Sequence, residues 1–84
     1  MAIFVNFMTR ARYNRIKAAL SEANLTAGAL AEHMCVHKST VSDWCTNNNQ
    51  PSIQDLFKIA KFLGLDHPGD LLVPIKKAWP QKTN

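Results

Sequence analysis

Residues 25–49, LTAGALAEHMCVHKSTVSDWCTNNN, constrain the fold more than any other part of the chain. Their apolar positions fall into two short helical runs, 27–34 and 38–45, separated by a tight turn. Thr26 is placed as N-cap of the first run, where its hydroxyl can accept a hydrogen bond from an otherwise orphaned backbone N–H. His37 immediately precedes the second run. Leu30, Ala31 and Met34 share one face of the first helix, and Val41 and Trp44 share one face of the second. Val36 falls between them, where it can plug the angle they make. Two helices fixed in this way leave the outer face of the second one free. That face carries Lys38, Ser39, Ser42 and Asp43, all able to hydrogen-bond.

The ordered set Leu25-Thr26, Leu30-Ala31-Glu32, Val36, Ser39-Thr40-Val41-Ser42, Trp44 and Gln50-Pro51-Ser52 resembles the helix-turn-helix of the Cro/CI (XRE-type) family of DNA-binding proteins. The resemblance spans residues 14–73. It implies an all-α, five-helix lambda-repressor-like domain that binds double-stranded DNA. By the family's docking geometry, Lys38, Ser39, Ser42 and Asp43 face base edges in the major groove. Lys38 can donate to guanine O6 and N7, and Asp43 can accept from cytosine N4, while the two serines are adaptable. Phosphate contacts are expected from Arg10, Arg12 and Arg15 before the pair, from Thr26 and Thr40 within it, and from Thr46, Asn47, Asn48 and Asn49 after it.

The chain departs from the family pattern at four positions and in one loop. Ala27 stands where the family often has a phosphate-supporting Gln, which leaves that contact to Thr26. Cys35 replaces the turn glycine, at a cost of roughly 1–2 kcal/mol if the position is left-handed. Leu20 and Cys45 occupy the positions of an Arg–Glu ion pair, so packing is expected to replace charge pairing there. The loop 46–51 carries asparagines where the family often has a basic residue and a glycine. Amides can still donate to phosphate oxygens, but with weaker salt dependence.

The rest of the chain fits one small domain. Its 84 residues and 46% hydrophobic content suffice for a helical bundle, and its net charge of +4 favours polyanionic partners. Arg10, Arg12, Arg15 and Lys17 crowd one segment, and Lys76, Lys77 and Lys82 crowd the tail. Residues 1–9 form an apolar leader, flexible or strand-like; residues 10–73 form the domain; residues 74–84, with Trp79, read as a tail. A first helix is expected over residues 12–23, stopped by Asn24. A fourth over 53–63 is capped by Ser52 and ended by Gly64, and its broad apolar surface suggests burial on more than one side or a subunit contact. A short fifth helix is expected over 67–73, with Pro68 in its first turn.

Two cysteines give no disulfide framework, and no signal peptide or membrane-length apolar run is evident, so a cytoplasmic protein is expected. His33, Cys35, His37 and Cys45 are metal-ligand types, but their spacing fits no zinc pattern. No phosphate-cradling loop or nucleophile elbow points to an enzyme or to a cofactor. The expected function is sequence-specific DNA binding by a homodimeric transcriptional repressor, with the helices after the motif as the dimer surface. The alternative is an antitoxin or protein-interaction module of the same fold.

Overall fold

The computed structural model describes residues 11–78. The leader, Arg10, Trp79 and the remainder of the tail lie outside the described residues. Among the described residues five α-helices follow in order: α1 (Ile16–Glu22), α2 (Ala27–Met34), α3 (Lys38–Cys45), α4 (Ile53–Phe62) and α5 (Ile75–Ala78), with a 3-10 turn at Pro68–Leu71 between α4 and α5. Helices α2 and α3 have the boundaries their periodicity predicts. Thr26 Oγ1 accepts from the Ala29 N–H at 3.0 Å, and Ser52 Oγ accepts from the Asp55 N–H at 3.0 Å, which fixes the starts of α2 and α4.

One residue from each packed element is wholly shielded from solvent: Ile16 of α1, Leu30 of α2, Val41 of α3, Ile59 of α4 and Leu71 of the 3-10 turn. Trp44 closes the core beside them. Leu20 is buried in the same cluster, and Cys45 packs against it half-buried. Apolar packing thus occupies the positions where the family often pairs Arg with Glu.

Three turns are left-handed at non-glycine residues: Asn24 (φ 57°), Cys35 (φ 58°) and Asn47 (φ 62°). Asparagine tolerates this region because its short amide can bond locally. Cysteine has no such compensation. Cys35 is exposed, so its side chain contributes little to packing. Cys35→Gly should therefore raise stability by about 0.5–1 kcal/mol, the relief of strain exceeding the added freedom of the unfolded chain. Thermal unfolding should show a rise of roughly 2–8 °C.

The structure differs from the sequence reading at both ends. Residues 12–15 are not helical. The Arg15 N–H donates to the Leu71 carbonyl at 2.8 Å, the Val73 N–H to the Tyr13 carbonyl at 3.0 Å, and the Arg12 N–H to the Ala78 carbonyl at 3.1 Å. Asn14 and Leu72 form an antiparallel bridge. These long-range bonds outcompete the first helical turn. The expected fifth helix is only the 3-10 turn, because Gly69 disfavours an α-helix and Leu72 and Val73 pair with the segment before α1 instead. Residues 75–78, read as tail, instead form α5, and Ala78 is buried. Helix α4 is central on one side only. Ile59 and Ala60 are buried, whereas Ile53 and Phe57 are 72% and 59% exposed. Burial on more than one side is thus not observed for its first half.

Candidate nucleic-acid interface

The outer face of α3 is held by contacts on its inner face. Val41 and Trp44 anchor α3 in the core, and α2 and α1 pack against it. Lys38, Ser39 and Ser42 are exposed together on the opposite side. Lys38 begins α3 beside the start of α2: a Cβ added at Gly28 would lie 3.7 Å from Lys38 Cε. The ammonium group thus stands near the junction of the two helix N-termini. Thr40 is half-buried on the flank of α3.

The C-terminal end of α3 is fastened by an amide network. Asn14 is 4% exposed. Its Nδ2 donates to the Trp44 carbonyl at 3.0 Å and to Gln50 Oε1 at 2.7 Å. Its Oδ1 accepts from the Ile16 N–H at 3.0 Å, which starts α1. Asn47 faces it. Asn47 Oδ1 accepts from the N–H groups of Tyr13 and Asn14 at 2.8 and 3.0 Å and from Gln50 Nε2 at 3.1 Å. Asn47 Nδ2 donates to the Asn14 carbonyl at 3.2 Å. The loop after α3 is therefore latched to the segment before α1. Sequence reasoning missed Asn14, although a lone amide among the apolar repeats of an expected helix is a signal for a turn or cap.

Of the residues expected at phosphates, Thr26, Thr46, Asn48, Asn49 and Arg12 are exposed. Several of the expected side chains also bond within the chain, that of Thr26 to the Ala29 N–H. The Thr46 hydroxyl donates to the Ser42 carbonyl at 3.1 Å and the Asp43 carbonyl at 3.3 Å. Asn47 is committed to the latch. Arg15 donates to Glu22 at 2.6 Å and to the Asp70 carbonyl at 3.1 Å. The Asp43 carboxylate is half-buried and accepts from Asn49 Nδ2 at 3.4 Å.

The metal-ligand types do not gather. Among the described residues, no group of three His, Cys, Asp or Glu side chains could hold an ion. His33 stacks on Phe62 of α4 with ring centroids 4.3 Å apart, which gives it a packing role. Burial pushes the Cys45 thiol above its ordinary pKa, and nearby Lys17 pulls it back only in part. Cys45 is thus held as a neutral thiol, consistent with its place against the core. Among the described residues, no helix is long and apolar enough to cross a membrane.

The helix-turn-helix family HTH_3 matches residues 16–69. The chain is similar to the crystal structure of a candidate DNA-binding protein from Bacteroides fragilis, at 43% sequence identity and a TM-score of 0.69, over 71% of this chain and 95% of that one. None of the curated proteins matches this chain. The match runs from the start of α1 into the 3-10 turn and includes the whole α2–α3 pair with its exposed polar face, so the chain belongs to the Cro/CI (XRE-type) helix-turn-helix family of DNA-binding proteins.

Proposed function

We propose that this protein binds double-stranded DNA sequence-specifically through α3 and represses transcription as a homodimer. The observation that carries this reading is the exposed row Lys38, Ser39 and Ser42 on a helix whose other side is locked into the core. The major groove admits a helix of this kind, and its base edges distinguish all four base pairs. Asp43 stands beside the row and can accept from cytosine N4, in exchange for its contact with Asn49. Thr26, Thr40, Asn48, Asn49 and Arg12 are assigned to phosphates. Asn47, Thr46 and Arg15 act by holding the loop and the first segment in place.

A helix of eight residues offers few base contacts, so two copies on a two-fold site supply the missing specificity. The exposed Ile53 and Phe57 of α4 are the apolar surface assigned to that contact. The same two side chains favour a second reading, in which the domain docks a different protein as an antitoxin or assembly module. The setting for either reading is the cytoplasm, with reduced thiols. Selection of bound duplexes from a random pool separates the two. The homodimer should enrich two-fold symmetric sites with half-sites about one helical turn, ~34 Å, apart. A pool that gains no sequence preference would contradict the regulator reading.

Arg12→Ala should weaken selected and random duplexes by the same factor, because a phosphate contact carries no sequence information. A larger loss on the selected site would move Arg12 to the bases.

A further inference from the structure

Two grooves meet beside α3. The first is walled by Lys38 and Ser42 of α3 and by Lys17 and Ser21 of α1. The second is lined by Arg12 and Lys17 and by Lys76 and Lys77 of α5. Lys17, Ser21 and Cys45 line both, so the two form one channel. It leads from the base-reading row, across the exposed side of α1, to the C-terminal helix.

The charge along this channel has one sign. Lys38, Lys17, Arg12, Lys76 and Lys77 follow one another, and among the described residues no Asp or Glu lines either groove. Arg15 reaches the second groove too, but its guanidinium is held by Glu22. The fold does not account for this row. Lys17 lies in the first turn of α1, where a cation opposes the helix dipole. Like charges gathered without a counter-charge also repel one another. Meanwhile, in the loop where the family often places phosphate contacts, the Thr46 hydroxyl is bonded back to the end of α3 and Asn47 is turned towards the segment before α1.

We propose that this channel carries the sugar–phosphate strand flanking the bases read by α3, with Lys17, Lys76 and Lys77 as phosphate contacts. The inference rests on the DNA-binding reading and adds to it. Phosphate affinity is supplied by α1 and α5 in addition to Asn48 and Asn49 of the loop after α3. Residues 75–78 are then part of the DNA-binding surface.

The test is the salt dependence of binding by the full chain to a duplex recovered from the random pool. Removing one lysine–phosphate pair lowers the steepness of log K against log salt by about 0.9. Lys76→Gln/Lys77→Gln should lower it by about 1.8 and Lys17→Gln by about 0.9, with the ranking of sequences unchanged. Lys58→Gln/Lys61→Gln on α4 removes the same charge away from the channel and should leave the slope nearly as it was. Wild-type binding with an unchanged slope in the channel variants would overturn the inference while leaving the function intact. An equal fall in the α4 variant would also overturn it, since net charge would then suffice. If the wild type binds no duplex at low salt, the DNA-binding reading itself fails.

Discussion

Asn14→Ala should destabilise the domain by about 3 kcal/mol, the largest effect expected of any single polar substitution here. Asn14 is buried, and its amide satisfies the Trp44 carbonyl, Gln50 and the Ile16 N–H at once. Alanine strands the Ile16 N–H and strips one donor each from Gln50 and from the Trp44 carbonyl, which keeps only the Asn47 N–H at 3.1 Å. Each such loss costs about 1–3 kcal/mol, and partial relaxation keeps the total below the simple sum. Urea unfolding should show a lower midpoint with an unchanged slope, because the surface exposed on unfolding is the same. Asn14→Asp is the informative companion. It keeps the acceptor for Ile16 but loses both donors and sets a carboxylate against the Trp44 carbonyl, so it should be at least as damaging. A loss below about 1 kcal/mol in both variants would mean that the latch contributes little.

Lys38→Ala should have the largest effect on recognition. Its ammonium is the one full positive charge in the exposed row of α3, beside two serines of low selectivity. A lysine donating to guanine O6 and N7 discriminates by about 1–3 kcal/mol, roughly 5–150-fold in affinity. The variant should lose that factor on the selected duplex and much less on random DNA. A new selection should show relaxed preference at one position per half-site, with the other positions unchanged. Equal losses on both duplexes would place Lys38 at a phosphate.

What the sequence made legible, and what it hid, follows the range of the forces involved. Helices α2 and α3 are set by local signals: a Thr26 cap, apolar spacing, and a break at Cys35. Both lie where those signals put them. The left-handed Cys35 was legible for the same reason, through its alignment with a turn glycine. The segment 12–15 was not. Its conformation depends on partners 33–66 residues away in the chain, at Asn47, Leu71, Val73 and Ala78. No periodicity encodes such partners. Helix α5 was hidden similarly. IKKA is too short to show an amphipathic repeat, and it is ordered by the bond between Arg12 and Ala78.

The candidate site was legible in type and less so in detail. Exposure of Lys38, Ser39 and Ser42 follows from the phase of Val41 and Trp44, which α3 must bury. The polar loop 46–49 could be read only as a set of donors. Whether a given amide faces DNA or the protein depends on the backbone opposite it, and Asn47 faces the protein. The basic residues showed the converse. Lys17 and the pair Lys76 and Lys77 stand in separate parts of the sequence, and only the fold brings them to one groove.

On the proposed function, α3 reads base sequence in double-stranded DNA. The most direct test is an anisotropy titration of the selected duplex and a scrambled one of equal length, at about 50 mM and about 200 mM salt. The expected result is binding to both at low salt, a steep loss with added salt, and at least about 10³-fold preference for the selected sequence at the higher salt. Equal affinity for the two duplexes, or no binding to either at low salt, would contradict it.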